Sequence, residues 1–305
     1  MPLDPEVVAF LESQKGTKPR SAMTIEETRQ AMLQGRGLAL PPQPLSVVTD
    51  QLIAQVPVRV YQAEVRDDCP IVVFAHGGRF ISGDLDTHDS FCRQIAKRSG
   101  ARIVAVDYRL APEHCFPTAL EDFFTVAESL AETTGSKVAV AGDSAGGNLA
   151  AAACLKARDE GKEWIQWQLL LYPMLDAMAS LPSHREFGQG FGPGSADMLR
   201  GWLEYAPQQV DRKAPLLSPL WAGDLRWLPP AFILSAEMDP LKDEAEEYGR
   251  RLFFAGVHAQ SDCAKGMIHG FLQHSAIINQ ARLYLDKIAQ QIRLNLFDKL
   301  EHPIT

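Results

Sequence analysis

Cysteine is scarce in this chain: the five residues at positions 69, 92, 115, 154 and 263 are odd in number and far apart. They show neither a disulfide framework nor metal-ligand spacing, so reduced thiols in a cytoplasmic protein are expected. Also missing is any apolar run near the ~20 residues that a membrane-spanning helix needs, and no membrane partner is expected. Met1 to Gln14 carries Asp4, Glu6 and Glu12 where an export signal would hold a basic region and an apolar core. Basic runs are absent, and a formal net charge of -8 opposes binding to nucleic acid or anionic lipid. There is no internal repeat and no low-complexity tract. What is left has the composition of an ordinary enzyme, 46% hydrophobic and 22% charged over 305 residues. That length allows one large domain with a cap, or two domains, and the expected partners are small, uncharged molecules.

Helix signals come first along the chain. Asp4 caps a segment reaching Gln14 with Pro5 in its first turn, and Thr24 with Glu27 forms a capping box for a helix reaching Leu33. Eight strands are then predicted: Val47 to Leu52, Val56 to Tyr61, Ile71 to Ala75, Ile103 to Asp107, Val138 to Ala141, Gln168 to Tyr172, Ala231 to Ser235 and Ala259 to Cys263. Most of the later ones alternate with helical stretches, at His88 to Lys97, Ala119 to Glu132, Asn148 to Glu160, Asp243 to Ala255 and Ser275 to Leu294. Such alternation predicts an α/β fold, a mostly parallel sheet covered on both faces. The interval 176–216 breaks the pattern with a glycine-rich stretch and a short helix near Ser195 to Tyr205, and reads as an insertion or a long surface loop.

The most informative residue is Ser144, in Ala141-Gly142-Asp143-Ser144-Ala145-Gly146-Gly147. A buried strand precedes it and an alanine-rich helix follows, which places the serine on a tight strand-to-helix turn with strained backbone angles. Gly142 and Gly146 are then required because any side chain there would strike a neighbouring element. By itself the pattern is also that of a small-residue turn. Two further segments set it in context: an apolar strand running into His76-Gly77-Gly78-Arg79-Phe80 upstream, and the strand-following segments holding Asp239 and His269 downstream. Serine, acid, histidine is the chain order of α/β-hydrolases.

Taken together, the His76-Gly77-Gly78 loop, Asp107-Tyr108-Arg109-Leu110-Ala111-Pro112-Glu113, Gly142-Asp143-Ser144-Ala145-Gly146-Gly147-Asn148, Asp239-Pro240-Leu241 and His269-Gly270-Phe271 resemble the bacterial hormone-sensitive lipase family of carboxylesterases. The resemblance implies the α/β-hydrolase fold with an eight-stranded sheet spanning 46–175 and 217–305. It implies a helical cap built from 1–45 and 176–216, and hydrolysis of small esters with short to medium acyl chains. It also makes a homodimer through an edge strand an expectation. An amidase, a deacetylase or an acyltransferase would use the same residues, and a non-catalytic receptor for a small ligand is the alternative from another class.

Ester hydrolysis requires a base to take the serine proton, and an imidazole of pKa about 6.5 suits that task. His269 is the candidate; His114, His184, His258, His274 and His302 are expected to be surface or structural, and His76 to shape its loop. Asp239 is expected to orient His269, ahead of Asp243, which starts the next helix, and of Glu237. Backbone N–H groups must face the oxyanion. Ala145 is the natural first donor, and the His76 loop supplies the others from among Gly77, Gly78 and Arg79, with the resemblance pointing to Gly78 and the Arg79 position. No cofactor or metal is expected: Asp86 and His88 are read as helix-capping residues. Tyr108 to Glu113 is expected to brace the loop below the site, and Met198, Leu199, Trp202 and Phe191 either line the acyl pocket or pack.

Arg79 departs from the family's pattern, which has glycine there. An arginine at this position is expected to have ordinary backbone angles and to anchor the loop through a bidentate contact with a carboxylate or a carbonyl. The competing expectation is that its cation attracts an acidic substrate.

Overall fold

The computed structural model describes residues 2–297. Among them, eight strands form one sheet in the order β1-β2-β4-β3-β5-β6-β7-β8. They are β1 Val47–Ile53, β2 Val56–Gln62, β3 Ile71–Ala75, β4 Arg102–Val106, β5 Val138–Asp143, β6 Ile165–Leu171, β7 Ala231–Met238 and β8 Ala259–Ile268. β2 runs antiparallel to both its neighbours, and every pairing from β4 through β8 is parallel.

Parallel strands buried on both faces read as continuous apolar runs, and β3 shows why. Ile71, Val73 and Ala75 enter one core, while Val72 and Phe74 enter the other. The first core is covered by α4 (Thr118–Thr134), α5 (Ala145–Asp159) and α8 (Lys242–Phe254), which contribute Phe123, Leu149 and Tyr248 among others. The second is covered by α3 (Asp89–Ser99) and α9 (Asn279–Ile292), through Phe91, Ile95, Leu285 and Ile288. α1 (Pro5–Ser13) adds Val7 and Phe10 to that second core, and α2 (Ile25–Gln34) follows it. The expected caps are present: Asp4 Oδ1 accepts from Glu6 N–H at 2.8 Å, and Thr24 and Glu27 form the reciprocal box.

The interval 176–216 holds α6 (Ser183–Glu186), which is too short to leave a sequence signal, and α7 (Ser195–Tyr205). α7 packs on the loop after β3: Tyr205 stacks on Phe80 with ring centroids 3.9 Å apart, and Trp202 lies 5.1 Å from the same ring. Met198 and Trp202 are fully buried in this packing, whereas Leu199 is exposed. α2 reaches the same loop from the N-terminal side. Arg29 donates to the carbonyls of Ile81 and Ala111 and binds Glu113 with both terminal nitrogens.

No helix among the described residues is long and apolar enough to cross a membrane. The five cysteines are all free. His302 lies outside the described residues.

Candidate active site

β5 and α5 reach further than their composition indicates. The glycine-rich run between Ala141 and Asn148 reads as a loop, yet β5 extends to Asp143 and α5 starts at Ala145, leaving Ser144 alone at the corner. Its φ of 55° is a left-handed value that costs a non-glycine residue of order 1–3 kcal/mol. Hydrogen bonds hold it there: Ser144 N–H donates to Leu171, and its carbonyl accepts from Asn148 and Met174. The corner is tight, since a Cβ on Gly146 would sit 1.9 Å from the Ala75 carbonyl oxygen.

Asp239 and His269 follow the ends of β7 and β8, so the sheet brings all three residues to one edge. His269 Nε2 lies 2.9 Å from Ser144 Oγ, and its Nδ1 lies 2.8 Å from Asp239 Oδ2. Asp239 is completely buried; Ser144 and His269 are 4% and 7% exposed. The other oxygen of Asp239 accepts from Leu241 N–H at 2.8 Å. The rival carboxylates have other partners: Asp243 accepts from Ser183 N–H and Glu237 from Gly266 N–H.

The loop after β3 approaches the corner from the other side. Gly78, Arg79 and Phe80 have φ values of 134°, 58° and 64°. The expectation of ordinary angles at Arg79 is therefore wrong. The turn closes on itself, with Gly78 O accepting from Ile81 N–H and Ser82 N–H, and Ala111 N–H donating to Phe80 O, and this fixes the left-handed run. Gly77 also needs correction as an oxyanion donor, because its N–H donates to Asp143 Oδ1 at 2.7 Å.

Asp143 is a residue that sequence reasoning missed. Besides Gly77, it faces His88, whose Nε2 lies 3.2 Å away, although the two are 55 positions apart in sequence. Burial opposes its charge, but His88 and the Gly77 N–H hold its carboxyl below the ordinary value. The helix-capping reading of His88 and Asp86 fails: His88 makes no side-chain cap, and Asp86 binds Arg59 at 2.9 Å. Instead Asp84 and Thr87 close the turn reciprocally. Tyr108 braces the loop as expected, donating to His76 O at 2.7 Å and stacking on its ring; burial, with His88 nearby, lowers the His76 imidazole to about 4.

An α/β-hydrolase fold family model matches residues 72–273, which include the corner, the loop and all three facing side chains. The chain belongs to that family, in its hormone-sensitive-lipase-like branch. It is 40% identical over 241 residues to carboxylesterase NlhH of Mycobacterium tuberculosis, covering 75% of each chain. It is 32% identical over 305 residues to an arylesterase of Saccharolobus solfataricus, covering 96% of this chain and 99% of that one. Among solved structures, a hyperthermophilic esterase from the archaeon Pyrobaculum calidifontis superimposes with a TM-score of 0.90 at 36% identity, over 96% and 99% of the two chains.

One further buried pair in this α/β-hydrolase joins the 176–216 interval to α8. His184 Nε2 lies 2.7 Å from Glu244 Oε1, and Glu244 Oε2 accepts from the N–H groups of Leu175 and Asp176. Burial raises the Glu244 carboxyl to about 7, opposed by His184, while burial of His184 is outweighed by Glu244, which lifts the imidazole above its ordinary value. The pair therefore retains a proton near neutrality.

Proposed function

We propose that the chain is a serine carboxylesterase acting on small esters of short to medium acyl chain through an acyl-serine intermediate. The observation that carries this reading is the unbroken relay from Asp239 Oδ2 through both ring nitrogens of His269 to Ser144 Oγ. Asp239 fixes the tautomer with Nδ1 protonated, so Nε2 accepts the hydroxyl proton as Oγ attacks the ester carbonyl. The oxyanion that forms is met by the N–H groups of Ala145, Gly78 and Arg79. Ala145 opens α5, where helix N–H groups are free and the dipole is positive. His269 then protonates the leaving alcohol, and water activated by the same imidazole releases the acid.

In this reading, residues 1–45 and 176–216 form a cap that closes the acyl pocket. The support is their meeting at Arg200 on α7, which donates to the carbonyls of Arg20 and Met23, and their joint contact with the Phe80 loop. The proposal places the enzyme in the cytoplasm and includes a homodimer through β8, which ends the sheet order and so has a second edge.

The test is turnover of p-nitrophenyl butyrate with labelling by a fluorophosphonate probe. Ser144→Ala and His269→Ala are expected to lose at least about 10³-fold in kcat, and Asp239→Asn to retain weak activity. Wild-type turnover in Ser144→Ala overturns the proposal; greater damage from Asp243→Asn than from Asp239→Asn overturns the acid. A wild-type protein that binds esters without turnover and resists the probe is a receptor.

A further inference from the structure

Arg79 does not anchor its loop in the expected way. The guanidinium is 5% exposed as a residue, and its Nη1 is buried without a hydrogen-bond partner. The carboxylate that faces it, Asp197 on α7, stands 3.8 Å from Nη1, and the facing oxygen Oδ1 is likewise buried and unpartnered. The other oxygen of Asp197 accepts from Gly194 N–H at 2.9 Å. The backbone is seated firmly, since a Cβ on Gly201 of α7 would lie 2.6 Å from Arg79 Cβ, so the loop holds its place without the guanidinium.

Charge at this spot is unbalanced. Arg20 and Arg200 add positive potential around Arg79, against the single nearby Asp197; burial first, then Arg20, lowers the Arg79 guanidinium to about 10, where it is still protonated at neutral pH. Arg200 has Glu204 only at 4.0 Å. His274, whose Nδ1 is a buried nitrogen without a partner, also feels the Arg20 charge. In a chain of net charge -8 this is a local excess of positive charge at the loop that follows β3, with one buried arginine nitrogen left unpaired.

A buried, incompletely paired cation is costly, and an incoming carboxylate relieves that cost. Arginine's planar fork matches a carboxylate with two parallel hydrogen bonds. We propose that Arg79 is a specificity-determining residue that receives a free carboxylate on the ester substrate: a monoester of a dicarboxylic acid, or an acylated hydroxy acid. The inference rests on the esterase reading above. In that reading the Arg79 amide faces the reacting carbonyl, so the guanidinium is one side-chain length from the scissile bond and the second carboxylate must lie within a few carbons of it.

The experiment follows acid release by pH-stat on matched pairs, with kcat/KM for the anionic ester divided by that for the neutral one. Monoethyl adipate against ethyl heptanoate tests the acyl side; 4-acetoxybutanoate against pentyl acetate tests the alcohol side. Wild type is expected to prefer the anionic member of one pair, which identifies the side. In Arg79→Met that ratio is expected to fall about tenfold or more, mainly through KM, with substantial rescue by Arg79→Lys. Asp197→Asn removes the competing acid and is expected to raise the ratio, and it serves where Arg79→Met fails to fold. A ratio that stays within twofold of wild type in every variant that folds, with neutral esters still turned over, overturns this inference alone. Failure of the wild type to hydrolyse any of the four esters overturns the esterase reading on which it stands.

Discussion

Asp143→Asn isolates what the residue before the nucleophile does. The substitution keeps the shape and leaves an oxygen able to accept the Gly77 N–H, now 2.7 Å from Oδ1, but removes the charge that faces His88 at 3.2 Å. A hydrogen bond to a charged group contributes about 1.5–3 kcal/mol and a neutral one about 1 kcal/mol, so the loop's attachment to the corner weakens by about 1–2 kcal/mol. Complete loss of one oxyanion donor costs ~10²–10³ in kcat elsewhere. A loosened loop that still samples its place is expected to cost less, about ten- to a hundredfold, with KM little changed because the acyl pocket is untouched. The assay is steady-state hydrolysis of p-nitrophenyl butyrate, paired with thermal unfolding to separate loss of fold from loss of alignment. A kcat within twofold of wild type, whether or not Tm falls, refutes the idea that Asp143 aligns the oxyanion loop and reduces it to a structural charge.

Gly146→Ala forces a Cβ to within 1.9 Å of the Ala75 carbonyl oxygen, a backbone atom that cannot swing away. It is expected to destabilise the fold by more than about 3 kcal/mol in urea unfolding, and a variant as stable as wild type contradicts the close approach of α5 to β3. The His184–Glu244 pair makes stability depend on pH. Both groups have folded pKa values raised above their ordinary ones, so their contribution is present at low pH and is lost as pH rises through about 7 for Glu244 and through the raised value for His184. The Tm advantage of wild type over the double variant His184→Gln/Glu244→Gln is expected to shrink between pH 5 and 8, and a constant difference refutes the assignment.

The sheet is legible because its parallel strands are apolar on both faces, as Ile71 to Ala75 illustrates, and because helical stretches alternate with the later strands. Ser144, Asp239 and His269 were legible because each ends or follows a strand in a fixed chain order, and the structure brings the three into hydrogen-bond reach. Contacts between distant segments were not. Nothing local in Asp143 or His88 announces a pairing across 55 positions, and nothing in the sequence around Gly77 shows that its N–H is committed to Asp143. The extents of β5 and α5 were missed because glycine near a turn reads as loop, whereas here it permits close packing. The Arg79 angles are not legible for a related reason: residue preference is local, while the left-handed run at Gly78, Arg79 and Phe80 is held by the turn's own bonds to Gly78 O together with the distant Ala111 N–H on Phe80 O.

Those partners explain why an arginine is tolerated where glycine is the easier choice. The loop is fixed at Gly77 by Asp143, at His76 by Tyr108, at Phe80 by the Ala111 N–H and the Tyr205 ring, and at Ile81 by Arg29. Three of these contacts come from the β5 corner and the loop after β4, and two come from the segments proposed as the cap. A strain of order 1–3 kcal/mol at each non-glycine left-handed residue is held only while both sets persist. The loop that carries two of the proposed oxyanion donors is therefore in direct contact with both α2 and α7, through Arg29 and Tyr205. Glycine at position 79 would remove the strain there, since it occupies φ near 58° without cost, but it would also remove the Cβ that packs against Gly201 of α7.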